Sequence, residues 1–151
     1  MTEGIKVVAT NRKASHEYFL LERFEAGLAL QGSEIKSIRA GQISLAEAYV
    51  RIDGHEAWLV DAHVAPYEHA GPLNHAPRRP RKLLLHRSQI RELWAEMRQK
   101  GVTVIPLRVY LKDGRAKVEI AVAKGKKLYD KRHDLAEKDA RREMERQVRN
   151  R

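Results

Sequence analysis

The sequence predicts a mainly β fold, a small and partly closed antiparallel barrel covered by two or three short helices and trailed by a basic tail. Three observations predict it. Short apolar alternations recur along the chain, two Asp-Gly pairs join neighbouring alternations, and helical periodicity is confined to two brief stretches. At 151 residues the chain fits one compact domain plus a short appendage. Its 42% hydrophobic content suffices for a core.

Ile5 to Ala9 opens as an extended segment. Glu17 to Leu30 supplies a longer one, with a bulge or bend expected at Ala26-Gly27. Ser33 is placed to cap a short helix carrying Ile35 and Ile38 and ended by Gly41. Ala48 to Ile52 and Ala57 to Val60 read as a hairpin turned at Asp53-Gly54. A second helix, capped by Ser88 and stopped at Gly101, carries Ile90, Leu93, Trp94 and Met97 at i, i+3, i+4 and i+7. The last hairpin turns at Asp113-Gly114. Leu107, Val109 and Leu111 alternate there with Arg108, Tyr110 and Lys112, and Val118, Ile120 and Val122 with Lys117, Glu119 and Ala121, so one face should be wet. For a basic protein of this size the commonest such barrel is the oligonucleotide-binding type, with an α+β sandwich as the alternative.

Thirty Lys+Arg against twenty Asp+Glu leave a net charge of +10, which points to a polyanionic partner, nucleic acid first. The excess is uneven. Residues 124–151 hold eleven Lys/Arg against six Asp/Glu, and apolar periodicity stops at Val122, so the chain divides into a body, 1–123, and a basic tail, 124–151. Asp134 and Glu137 could start a tail helix as a capping box, yet Lys138/Arg142 and Arg142/Arg146 repel at i, i+4. The tail is therefore expected to be disordered when free and helical in a polyanionic channel.

The absence of cysteine excludes disulfides, thiolate metal sites and a Cys nucleophile. No apolar run approaches the ~18 residues of a membrane span, mean hydropathy is -0.60, and Met1 opens no charged-then-apolar leader, so a cytoplasmic protein is expected. The seven histidines form no i, i+4 ligand pair or HExxH element and read as surface or core residues; no metal or cofactor is expected. Ser33, Ser37, Ser44 and Ser88 lack a GxSxG frame, and Gly125-Lys126 lacks the rest of a phosphate loop. No catalytic residue is assigned. The loop Pro66 to Lys82 holds four of the five prolines and projects Arg78, Arg79 and Arg81 before Lys82, as a stiffened phosphate-contacting loop or a solvated connection would.

Five motifs then fall in a known order. Asn11-Arg12-Lys13-Ala14, Glu25-Ala26-Gly27, Gly32 to Arg39, Arg81-Lys82-Leu83-Leu84-Leu85 and Gly125 to Arg132 closely resemble the bacterial SsrA-binding protein (SmpB) family, from about Val7 into the tail. The resemblance implies an oligonucleotide-binding-type barrel, not an enzyme. It would hold the tRNA-like domain of transfer-messenger RNA (tmRNA) and deliver it to stalled ribosomes for trans-translation. Elongation factor Tu on alanyl-tmRNA would be an indirect partner. The RNA-binding positions it implies are Asn11, Arg12, Lys13, Glu25, Lys36, Arg39, Arg81, Lys82, Leu84, Lys117, Lys124, Lys126 and Lys127. It further implies that Tyr129, Asp130, Lys131 and Arg132 enter the decoding centre and that Lys138, Arg141 and Arg142 follow the empty mRNA channel. Ala136 departs from the family pattern, where a basic residue is common. A static rRNA clamp and a cryptic nuclease are the competing readings, the latter disfavoured by the lack of a carboxylate cluster or His pair.

Overall fold

The computed structural model describes residues 4–126. The described chain runs β1 (Ile5–Thr10), α1 (Ala14–Glu17), β2 (Tyr18–Leu28), α2 (Gly32–Arg39), β3 (Ile43–Ser44), β4 (Tyr49–Asp53), β5 (Glu56–Val60), β6 (His63–Val64), a 3-10 turn (Gly71–Leu73), β7 (Arg81–Leu84), α3 (Arg87–Met97), β8 (Val102–Lys112) and β9 (Arg115–Gly125). Seven strands form one antiparallel sheet in the order β1-β8-β9-β2-β7-β5-β4, and β3 pairs with β6. The sheet curls until β4 meets β8, so the expected barrel with a few covering helices is what forms. Its core gathers Val50, Ile52, Leu59, Leu83, Val104, Val109, Val118, Ile120 and Val122, with Ile38 from α2 and Ile90 and Leu93 from α3.

Both hairpins form, each with a two-residue loop. Asp113 (φ 51°) and Gly114 (φ 79°) join the paired Lys112 and Arg115 with the two positive φ angles of a type I′ turn. The other turn is shifted by one residue. Asp53 pairs with Glu56, so the loop is Gly54-His55 rather than Asp53-Gly54, and only Gly54 (φ 63°) needs the left-handed region.

The largest departure from the sequence pattern lies along β9. Its partners β2 and β8 each carry an irregularity, between Leu20 and Arg23 opposite Ala123 and Ala121, and between Pro106 and Arg108 opposite Ile120 and Glu119. One extra residue flips every side chain beyond it to the other face. Leu20 thereby packs with Ala14, Ile105, Leu107, Ala121 and Ala123 in a second small cluster beneath α1, while Phe24 and Ala26 enter the main core. The wet face expected of the last hairpin therefore extends only over its turn-proximal half. The bulge expected at Ala26-Gly27 is absent; β2 continues through those residues.

The helix boundaries also move. Gln31, not Ser33, caps α2, exchanging hydrogen bonds with Glu34 in a capping box, and buried Ser33 Oγ instead meets His75 Nδ1 at 2.8 Å. Gly41 (φ 74°) ends that helix as expected: its N–H reaches Ile38 O at 2.9 Å, and the Gln42 N–H reaches Ser37 O at 2.9 Å. His86, not Ser88, caps α3 with Gln89 as the reciprocal partner. The helix ends at Met97, and Gly101 (φ 79°) serves the turn into β8. Of the apolar stripe, Ile90 and Leu93 are buried but Trp94 is 52% exposed. The last strand also outruns the expected body: Lys124 and Gly125 pair with Phe19 and Tyr18, moving its limit past residue 123.

Candidate nucleic-acid interface

Alternation along three adjacent strands brings Glu25 and Gly27 of β2, Lys82 and Leu84 of β7 and Lys117 of β9 to the outer face of the sheet. They line an open groove of about 600 Å³ that continues to His55 and Glu56 on one side and to His86 and Arg87 at the start of α3. Gly27 sets its depth. A Cβ there would lie 3.2 Å from Leu84 Cβ and 3.6 Å from Lys117 Nζ, so the missing side chain lets these two residues approach. Leu84 remains 54% exposed, an apolar surface inside a polar groove. Lys82 makes a 3.5 Å pair with Glu56, exposed at both ends and worth little to stability.

Glu25 is the one carboxylate here that is firmly held. Tyr110 donates its hydroxyl hydrogen bond to Glu25 Oε2, and Lys112 Nζ lies 3.5 Å from Oε1. The tyrosine's hydrogen bond, aided by Lys112 and Lys117 and opposed by desolvation, holds the carboxyl below its ordinary value. Burial first, then Glu25, drives the Tyr110 phenol far above its ordinary 10.0. The glutamate stays ionised and oriented, with its side chain still 41% exposed to accept hydrogen bonds from a ligand. Tyr110 was not among the sequence candidates, although its place opposite Lys117 on the outward alternation of β8 was the available signal.

Other candidates occupy different places. The Asn11 N–H and side-chain amide reach Leu107 O (2.7 Å) and Pro106 O (3.0 Å), fastening the turn that leaves Arg12 and Lys13 exposed. Lys126 donates to Ser15 O at 2.8 Å and lies 5.4 Å above the Phe19 ring, with Lys124 on the same strand end. Lys36 covers the Tyr67 ring at 5.5 Å, and Arg39 reaches Gly114 O at the hairpin tip at 3.4 Å. The basic residues named here thus gather mainly at two places, the groove and the turn after β1 with the end of β9. Lys117 and Lys124, seven residues apart on β9, mark a separation of ~23 Å at the rise of an extended strand.

Arg81, expected among the RNA-binding residues, turns away from the groove into the core. It is 1% exposed, and its Nε donates to Glu34 Oε2 at 2.5 Å while Nη1 donates to Ala62 O at 2.8 Å. Arg79 also binds Glu34, through Nη2 to Oε1 and through Nε to Oε2 at 3.3 Å, and the Gln31 N–H donates to Oε1 at 2.7 Å. Burial pushes the Glu34 carboxyl up, but the bonds from Arg79, Gln31 and Arg81 outweigh it and the net displacement is downward. Arg78 turns to Glu47 at 3.1 Å. The loop expected to project three arginines therefore folds two of them inward as an internal ionic knot.

Among the described residues no cluster of His, Cys, Asp or Glu could hold a metal ion, and no helix is long and apolar enough to cross a membrane. Lys127, Tyr129, Asp130, Lys131, Arg132, Lys138, Arg141 and Arg142 lie outside the described residues.

Comparison with known proteins bears on this geometry. A family pattern described as SmpB protein matches residues 8–150. The SsrA-binding protein of Desulforudis audaxviator (strain MP104C) is 58% identical over 147 residues, 97% of this chain and 96% of its own length. That of Shouchella clausii (strain KSM-K16) is 55% identical over 150 residues, 99% of this chain and 96% of its own. A chain of the solved structure "tmRNA-SmpB: a journey to the center of the bacterial ribosome" superposes with a TM-score of 0.67 at 42% identity, covering 82% of this chain and 85% of that one.

Proposed function

The chain belongs to the SmpB protein family, and from that premise we propose that it binds the tRNA-like domain of tmRNA and delivers it to stalled ribosomes for trans-translation. The observation that carries the reading is the groove in which Glu25 is clamped by Tyr110 and Lys112 beside exposed Leu84 and half-buried Lys117. A carboxylate on a basic surface repels bare phosphate, yet it accepts hydrogen bonds from base or ribose groups that only a folded RNA presents in a fixed place. Leu84 gives an unstacked base an apolar seat. Lys82, Lys112 and Lys117 supply the phosphate contacts that fix register.

The second basic group, Arg12 and Lys13 with Lys124 and Lys126, receives the backbone of the same RNA further along, with Asn11 holding its turn in shape. Lys36 and Arg39 extend the first group past the hairpin tip. The tail, with Tyr129, Asp130, Lys131 and Arg132 at the decoding centre and Lys138, Arg141 and Arg142 in the mRNA channel, detects that the channel is empty because message would exclude it. It folds as a helix on arrival, where rRNA phosphates neutralise its like charges. The protein acts in the cytoplasm by binding and shape, not by catalysis, and meets elongation factor Tu only through the alanyl-tmRNA both hold.

A competition titration at two salt concentrations tests this reading. A tRNA-like RNA with acceptor arm and T-arm should outcompete an unstructured RNA of equal length, and the preference should persist at the higher salt; equal affinities that collapse together with salt would refute it. Ending the chain after Lys126 keeps the whole of β9, so this variant should retain the RNA preference and lose peptide tagging on stalled ribosomes.

A further inference from the structure

Next to the groove lies a cleft of about 190 Å³ lined by Gly54, His55, Arg87, Ile90, Arg91 and Trp94. It shares His55, Arg87 and Ile90 with the groove itself, so the two are continuous around the first turn of α3. Helical spacing would bury Trp94 one turn after Ile90, but the indole is 52% exposed, a large apolar surface that no described residue covers. Its surroundings are cationic. Arg87, Arg91 and Trp94 follow one helix face at i, i+4 and i+7. Neither arginine is ion-paired among the described residues. Across the cleft Gly54 leaves open space where any other residue would place a Cβ.

Building on the groove reading, we propose that this cleft is a subsite for one unstacked nucleotide of the bound RNA, whose base stacks on Trp94 over Ile90 and whose flanking phosphates meet Arg87 and Arg91. An aromatic face, an apolar floor and two exposed guanidinium groups are the complement of a nucleotide: every base offers a π face, and each adjoining phosphate offers a charge. The path from Glu25 and Leu84 past Lys82 and Arg87 leads the strand there without a break.

The test uses the full chain. With Trp58→Phe, Trp94 is the sole tryptophan, and a tRNA-like RNA with acceptor arm and T-arm should quench its emission. Trp94→Ala should bind that RNA about tenfold more weakly, while Trp94→Phe, which retains a stacking face, should lose no more than about threefold. Arg91→Ala should reduce the slope of log affinity against log salt by about one. Thermal midpoints of the Trp94 and Arg91 variants, measured alongside, should match the parent because those two side chains are exposed. Unchanged Trp94 emission with parental affinity in Trp94→Ala overturns the subsite, and if Lys117→Ala still weakens binding the groove reading survives alone. Quenching by an acidic peptide but not by RNA also overturns it. No preference for folded RNA in the parent chain defeats the groove reading and the subsite together.

Discussion

Glu34 and Glu25 are both carboxylates held below their ordinary value by neighbouring donors, yet one is wholly buried and the other 41% exposed. Glu34 has its oxygens filled by Arg79, Arg81 and a backbone N–H, and nothing from outside can reach it. Glu25 has one oxygen held by Tyr110 and the other loosely by Lys112, so capacity remains for a ligand. The same functional group therefore does two jobs according to how completely the protein satisfies it. A saturated carboxylate locks α2 to β7; an unsaturated one keeps acceptor capacity for the RNA contact proposed above.

The largest effect is expected at Glu34. Glu34→Gln leaves the buried Arg81 charge without its counterion and should cost roughly 3–5 kcal/mol of unfolding free energy, read from urea denaturation. Acid sharpens it. The folded pKa of Glu34 lies below the ordinary 4.5, so between the two values the unfolded chain binds more protons. The contribution of Glu34 is thus complete above about pH 4.5 and lost as pH falls through the folded value. The parent's urea midpoint should drop on acidification through that window, and the drop should shrink in Glu34→Gln.

Next in size is Glu25→Ala. It raises the net charge by one yet should weaken binding to folded tRNA-like RNA by about tenfold, the equivalent of one charged hydrogen bond, and should lower the thermal midpoint modestly because the Tyr110 hydroxyl loses its acceptor. Tighter binding would show that the groove senses charge alone. The smallest effect is expected from Gly27→Ala, whose methyl meets Leu84 at 3.2 Å without backbone strain: about 1 kcal/mol in stability and a few-fold in affinity, measured on the same protein.

Much of this was legible in the sequence. Both hairpins followed from Asp-Gly pairs between apolar alternations, and Lys117 was placed outward by period alone. The four residues of β7 were not. Arg81 and Leu83 point in while Lys82 and Leu84 point out, so a charge lies where a hydrophobe is expected and a leucine where a charge is. Arg81 goes in because Glu34 is already there, and that partner is 47 residues away. Only the family resemblance singled out Leu84. The second cluster under α1 was missed for a different reason: two irregularities flip the faces of β2 and β8, and a period-two pattern carries no marker for an inserted residue. Ser33 and Ser88 satisfied the capping rule, but neighbouring Gln31 and His86, with reciprocal partners three residues on, took the role.

The strand order has a consequence for how the molecule comes into being. The middle of the sheet is β9 against β2, and Arg23 meets Glu119 at a sequence separation of 96. Contacts of that separation must close a long loop before they stabilise anything, so the body should fold slowly for its size and late in its own synthesis. Until β9 leaves the exit tunnel, β2 and β8 are exposed edges with no neighbour between them. A nascent chain released before that point would lack the centre of its sheet rather than its rim, and would present two open strands ready to pair with one another's copies.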